Sequence, residues 1–333
     1  MPVRRIRQPL LNRPDGGLQV GLFPGPTWVV PDASAHDLLI ADADPTGVST
    51  APDPASAQRL FDELLAAGVL DTSDSDPEDR KALSPAAHAS LSSERAWLAA
   101  QSGQAVASKI LARRRRSAVE IRGGKRWAGL LASLLAAAGI GRLRVVDADA
   151  ATESDVFPGA IQVAGDARGP AAAGAAMAAG ADVRPLGPEG GRDLVVLADG
   201  SDLDPATVDA LMRAGTPHLV LAARAHHLQI GPLVVPTLTA CLTCWAHSRT
   251  DDDPAWPALT TQLAHTSCDA VAGTAVAIAA GIAAAIALRH LDAPASIRPA
   301  EVAWLLNAAD DPIRRRLGQH PMCGCSWPMQ PAA

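Results

Sequence analysis

Tyrosine is absent from this 333-residue chain, and phenylalanine occurs three times. Alanine is abundant instead. That balance fits the composition of a high-GC genome and carries no functional signal. The chain also lacks a basic surface. Its formal net charge is −6, and its basic residues are not gathered in one region, which argues against general nucleic-acid binding. No secretory signal opens it: Arg4, Arg5 and Arg7 are not followed by an apolar core. The most apolar stretch, Ala270 to Leu288, approaches the length of a membrane span but is mostly alanine and glycine. It reads as a buried helix, and the expectation is a cytoplasmic protein with no membrane contact. Cysteine is scarce and odd in number, five in all, which excludes a disulfide framework in such a chain.

What is present is a large core and a change of pattern along the chain. Hydrophobic residues make up 48% of the sequence, and the length suits two domains. Near the start, Leu18 to Leu22 and Thr27 to Val30 flank a Pro/Gly turn and read as a hairpin. Asp32 or Ser34 is placed to cap a short helix over His36 to Ile40. Leu60, Phe61, Leu64 and Leu65 recur at helical spacing, predicting a helix from Pro54 that Gly68 ends. A short strand follows at Val69 to Thr72. A hairpin with small helices predicts a winged-helix-like module over residues 1–72. The acidic, Ser- and Pro-containing stretch from Asp71 to Asp79 reads as a linker, set at 73–90. Ser84 to Arg116 reads as mostly helical and ends in four arginines, Arg113 to Arg116. Those read as a solvated helix end favoured by the helix dipole, with phosphate or peptide binding as the alternative.

From Ser117 the pattern alternates. Val119 to Arg122 is a strand, Gly123 and Gly124 the turn, Trp127 to Ala138 an apolar helix, and Leu143 to Val146 a second strand ending in Asp147 and Asp149. This is the layout of a nucleotide-binding half-domain. Further strands are expected at Asp193 to Leu197, followed by Asp199, and at His218 to Ala222, with a helix over Asp204 to Ala214 between them. The fold class is therefore α/β: a mainly parallel sheet with helices on both faces, over residues 91–333.

Four cysteines fall in two close pairs, Cys241 with Cys244 and Cys323 with Cys325. Two pairs supply the four thiolates that a structural Zn²⁺ takes, and such a site leaves no position for substrate. The alternatives are a redox CxxC or buried, inert thiols. A redox pair would start a helix after a strand, whereas this one follows the Pro-flanked run Gly231 to Pro236. The fifth, Cys268, precedes an apolar helix. It reads as a small buried residue, with a nucleophile or sulfur carrier as the alternative.

Several motifs in order resemble the ThiF-like, ubiquitin-activating-type adenylyltransferases. They are Asp147-Ala-Asp-Ala-Ala-Thr-Glu-Ser154, the strand before Asp199, Ala214 to His218, the CxxC, and Ser267 to Gly273 before the apolar helix. The runs Thr239 to Trp245, Asp251 to Pro257 and His320 to Trp327 are similar to ThiF-like proteins of azole-forming ribosomal peptide pathways. That resemblance implies a Rossmann-like domain behind an N-terminal peptide recognition element. It implies a protein that binds the leader of a precursor peptide and presents it to a YcaO-type cyclodehydratase. Cys, Ser or Thr of the peptide then becomes an azoline. A homodimer is a further expectation.

This sequence departs from the adenylating members of the family. The glycine turn reads Gly123-Gly-Lys-Arg-Trp-Ala-Gly129, with bulky residues where backbone should approach phosphate. Glu153 to Phe157 lacks the family's Asn and Arg, and Arg168 stands near the place of its later lysine. Asp147 and Asp199 remain, so Gly123, Gly124, Asp147 and Asp199 read as a vestigial nucleotide site without ATP chemistry. The alternative is an active adenylyltransferase acting on a peptide or carrier-protein C-terminus. An extended leader would add to a sheet edge. Trp28 and Val30 are candidates on the edge strand, and Arg59, Asp62 and Leu65 on the facing helix.

Overall fold

The structure is a computed structural model. It describes residues 5–6, 10–15, 17–21, 27–30, 70–71, 81, 83–198, 204–224, 227–264, 271–293, 302–307 and 312–325. The chain divides into two compact units. One comprises 1–82 with 92–112, the other 83–91 with 113–333.

In the first unit, β1 (Arg5–Ile6) pairs antiparallel with β5 (Leu70–Asp71). A separate antiparallel sheet holds β2 (Leu10–Asn12), β3 (Leu18–Val20) and β4 (Trp28–Val30), in that order. Asp15 tightens the first turn, its side chain accepting from the Gly17 amide at 3.1 Å. The expected hairpin is the β3–β4 pair; β2 was not foreseen, because Leu10 to Asn12 is too short to show alternation. The helices expected over 36–40 and 54–68 lie outside the described residues. Two further helices, α2 (Ser92–Ser102) and α3 (Gln104–Arg116), follow a short α1 (Pro85–Ser90). Ser84 starts α1: its hydroxyl accepts from the Ala87 amide, and Pro85 supplies a preset φ at the first position.

The second unit is built on an eight-stranded sheet. In order of appearance its elements are β6 (Ala118–Arg122), α4 (Lys125–Ala137), β7 (Arg142–Val146), α5 (Arg168–Ala179), β8 (Arg184–Pro185) and β9 (Leu194–Leu197). Then come α6 (Pro205–Arg213), β10 (His218–Arg224), β11 (His227–Val234), α7 (Leu242–Asp252), α8 (Trp256–Ala264), α9 (Gly273–Asp292), β12 (Val302–Asn307) and β13 (Ile313–Arg316). The strand order is β13-β12-β11-β10-β9-β6-β7-β8. Strands β8, β7, β6, β9 and β10 run parallel, while β11 to β13 are antiparallel additions. Parallel strands dominate, as the alternating sequence pattern requires.

Val119, Ile121, Leu143 and Val196 point into one core layer with Leu131 and Leu135 of α4 and Ala279 and Ala283 of α9. A fully buried leucine contributes about 2–3 kcal/mol by removal of apolar surface from water. Helix α6, capped by Asp204 on the Ala206 and Thr207 amides, covers the other face over Val195 and Leu197. Helix α9 is long and apolar enough to cross a bilayer, by length and composition. Its small residues Ala279, Ala280 and Ala283 are fully buried against the core, and the opposite side, with Ile278, is exposed. It is the core helix expected from sequence, buried along one side rather than all round.

The four-arginine run corrects one expectation. Arg113 and Arg116 are exposed, as a solvated end requires, but Arg114 is not. Arg114 is 3% exposed, pairs with Asp292 at 2.6 Å, and donates to the Ala138 carbonyl at 2.9 Å. Arg113 donates to the carbonyls of Asp292 and Ala293, capping the C-terminal end of α9. Arg113 and Arg114, which belong to the second unit, therefore bind two of its helix ends.

Candidate functional site

Two corners of the second unit gather the residues that the sequence singled out. At the first, β6 ends and the chain turns into α4 through three left-handed residues, Gly123 (φ 67°), Gly124 (φ 96°) and Lys125 (φ 47°). The Gly123 amide donates to the Val146 carbonyl at 2.8 Å. A Cβ on Gly124 would stand 2.6 Å from that of Ala198, so the turn is pressed against the end of β9. Lys125 takes up a conformation that suits glycine. Trp127 lies against the turn as expected, its Cδ1 3.1 Å from where a Cβ on Gly124 would stand. It is 6% exposed and turned into the core with Ala128 and Leu131.

Asp147 lies just past β7, opposite the start of α5. The approach is close: a Cβ on Gly169 would stand 2.8 Å from the Asp147 carbonyl oxygen. This brings Arg168, the first residue of α5, onto three carboxylates. Its guanidinium donates to Asp147 at 3.0 Å, Asp149 at 2.5 Å and Asp155 at 3.4 Å. The side chains of Arg168, Asp147 and Asp155 are 9%, 7% and 3% exposed, so these charges are satisfied by one another and not by water. Burial pushes the Asp155 carboxyl up. The amide and hydroxyl of Thr152, then Arg168, more than offset it and hold that carboxyl below its ordinary value. Burial likewise works against the Arg168 charge, and Asp147 and Asp155 outweigh it.

Asp149 and Asp155 were missed as partners of Arg168. The signal was present in the spacing Thr152-x-x-Asp155, which is that of a capping box around a short 3-10 turn at Glu153–Asp155. Three carboxylates share one guanidinium, so the set carries a net negative charge. Asp199 and Cys268 lie outside the described residues.

At the second corner, Cys241 immediately precedes α7 and Cys244 lies in its first turn. The CxxC therefore does open a helix, after β11, and the Pro-flanked run Gly231 to Val234 is part of that strand. That overturns the ground on which a redox pair was set aside. What distinguishes the site is the arrival of the second pair. Cys323 and Cys325 flank Gly324, whose φ of 65° lets both thiols face one way. Sγ of Cys241 is 3.4 Å from Cys323, Sγ of Cys244 is 3.3 Å from Cys325, and the two CxxC sulfurs are 3.8 Å apart. All four lie within 4.8 Å of one another. A tetrahedron with metal–sulfur bonds of about 2.3 Å needs edges of about 3.8 Å. The donor set thus fits a tetrahedral thiophilic ion.

Charge and packing support the same fit. Cys241 and Cys244 are buried with Trp245, Val234 and Leu317. Burial opposes ionisation of Cys244, but the His320 amide, 3.2 Å from its sulfur, lowers its pKa. Burial and the neighbouring sulfurs push the thiols of Cys323 and Cys325 up, the latter to about 11. Four thiolates cannot share this volume without a cation among them.

Of the peptide-binding candidates, the backbone places Trp28 and Val30 on β4, an edge strand of the three-stranded sheet. Arg59, Asp62 and Leu65 lie outside the described residues.

No protein-family model matches the chain, and no curated protein matches it. Solved structures do. The structure of E. coli MccB superposes with a TM-score of 0.68 at 14% identity, over 97% of this chain and 96% of that one. The microcin C7 biosynthetic enzyme MccB in complex with N-formylated MccA gives 0.67 at 13%, over 97% and 99%. PaaA gives 0.69 at 17%, over 94% and 99%. Nearly the whole length of both partners is shared at this low identity, and the chain has the ThiF-like α/β fold of these proteins.

Proposed function

We propose that this chain binds the leader of a ribosomally made precursor peptide and presents it to a YcaO-type cyclodehydratase, without adenylating it. The observation that carries the second half is the Arg168 cage. Asp147, the acid placed to meet a ribose or a metal ion, is buried and bound at 3.0 Å to Arg168. A nucleotide would have to break that pair and approach a net negative set. For peptide recognition the support is β4, which offers its outer edge to an added strand. The fold is shared with a biosynthetic enzyme crystallised with N-formylated MccA.

In this reading the four cysteines hold a structural Zn²⁺ that pins the chain near its end to α7. The ion supplies cross-linking and no catalysis, because four thiolates fill its coordination. Leader and core peptide stay on one chain, so capture of the first raises the effective concentration of the second at the neighbouring enzyme. A cytoplasmic location and a homodimer complete the proposal.

A second reading is an active adenylyltransferase. It is favoured by the likeness to E. coli MccB solved with ATP, over 97% of this chain at 13% identity. Fluorescence polarisation of the labelled leader peptide encoded beside the gene separates the two. The presenting role predicts saturable binding, near micromolar, that is indifferent to ATP. Binding that requires ATP, together with leader-dependent ATP–pyrophosphate exchange, would establish adenylation instead.

A further inference from the structure

Along β6 the residues alternate. Val119 and Ile121 enter the core with α4 and α9, so Ala118, Glu120 and Arg122 face the other way. Strand register places Arg142, Arg144 and Val146 of β7 beside them, and Arg184 of β8 beside Arg142. Helix α6 covers this face over β9. Beyond it the face is charged.

Its centre is Glu120, which is 1% exposed. It accepts from Arg122 Nε at 2.7 Å, Arg192 Nε at 2.8 Å and Arg144 Nη1 at 3.3 Å. Arg192 is fully used, since its other nitrogens donate to the carbonyls of Gly190 and Pro188. Arg122 and Arg144 are not. Their side chains are 34% and 32% exposed, and their remaining N–H groups find no acceptor among the described residues. Arg142 and Arg184 are more exposed still. One carboxylate thus orients three guanidiniums, two of them aimed outward. A concentrated positive face results, on a chain whose net charge is −6.

We infer that this face of β6, β7 and β8 is a docking surface for a linear acidic peptide segment, whose Asp and Glu carboxylates take the outward N–H groups of Arg122 and Arg144. Guanidinium forks held on neighbouring strands suit bidentate carboxylates. Glu120 fixes them in the folded state, so little side-chain freedom is lost on binding. The patch spans three strands, about 10 Å at the usual strand spacing, which suits a few carboxylates. None of its residues is aromatic, so it lacks the stacking platform of a single-strand nucleic-acid site. The surface belongs to the second unit and does not depend on leader capture by β4.

The test uses the full chain and a fluorescein-labelled oligo-glutamate peptide. An oligo-glutamine peptide of equal length and a single-stranded DNA of equal charge serve as comparators. Saturable binding of the glutamate peptide alone is expected, weakening as salt rises. In R122Q/R144Q the dissociation constant should rise by about tenfold or more, the loss implied by two charge-assisted contacts. Because that variant also loosens Glu120, R142Q/R184Q is measured beside it. These outer arginines lie away from Glu120, and their loss should weaken binding a few-fold, with the melting temperature falling by no more than loss of the exposed Arg142 hydrogen bond to the Arg116 carbonyl, 2.6 Å, accounts for. Absence of saturable binding, equal binding by both variants, or tighter binding of the DNA would overturn the assignment.

Discussion

The two corners of the second unit hold opposite kinds of charge arrangement. At the Arg168 corner the protein supplies both signs, and the buried acids close on their own base. At the cysteine corner it supplies four donors of one sign and nothing to balance them. A site that satisfies itself has no electrostatic need for a guest. A site of four thiols satisfies itself only while they stay protonated, and a bound cation lets them ionise together. In the proposed reading this contrast, rather than the fold, separates a bound ion from an excluded nucleotide, since the fold is shared with a protein solved with ATP.

The largest expected effect comes from removing the proposed guest. Purified protein should contain about one Zn²⁺ per chain by elemental analysis, and Cys244→Ser should lose it. Chelation should lower the melting temperature, and added zinc should restore it in a concentration-dependent way. An unchanged melting temperature after complete metal removal would reduce the four sulfurs to buried thiols. Next in size is Arg168→Ala. It leaves Asp147 and Asp155 buried without their counter-charge, and the cost should be about 3–5 kcal/mol by denaturant titration. A loss within about 1 kcal/mol would mean that the cage is wet and the corner open.

A smaller effect tests the same logic on the sheet face. Burial tends to raise the Glu120 carboxyl, but Arg192 and Arg122 outweigh it and hold it below its ordinary value of 4.5. The folded value is the lower one, so this stabilisation is complete above about pH 4.5. It is lost as pH falls through the folded value. Glu120→Gln should cost about 2 kcal/mol at neutral pH, less than a fully buried pair because its arginines reach solvent. It should also flatten the acid limb of the stability curve. A parallel acid limb in the variant would assign acid unfolding to other carboxylates.

Much of this arrangement was legible in the sequence, and what was not has physical reasons. The βαβ unit stood out because Val119 to Arg122, the glycine pair and Leu143 to Val146 change period within a few residues. The cysteine pairs were legible from composition, since thiols have few alternative uses in such a chain. Their convergence followed from the ligand pattern, while the route to it, β11 leading into α7 and the chain beyond β13 returning past it, did not. The Arg168 cage was half legible. Arg168 was visible as a departure from a family pattern, but its partners come from two separate turns, Asp147 with Asp149 after β7 and Asp155 in the 3-10 turn. The solvated-end reading fits Arg113 and Arg116, which are exposed, but misses the burial of Arg114 and the acceptors of Arg113. A helix-dipole argument sees only its own helix, and the acceptors here are the ends of α4 and α9.

The smallest expected effect asks which feature closes the nucleotide corner, the turn or the cage. Lys125 sits at φ 47°, a left-handed conformation that costs a residue with a Cβ roughly 1–2 kcal/mol. Lys125→Gly removes that cost but adds unfolded-state entropy of about 0.4–1 kcal/mol. The net change should therefore lie between zero and a gain of about 1.6 kcal/mol by denaturant titration. The variant restores a glycine where backbone would approach phosphate, yet leaves Asp147 bound to Arg168. If the cage closes the corner, isothermal titration calorimetry should detect no ATP binding by Lys125→Gly, and pyrophosphate exchange should stay at background. ATP binding by this variant would locate the block in the turn. It would make the corner a site one residue short of function, and the contrast with the cysteine corner would become one of degree.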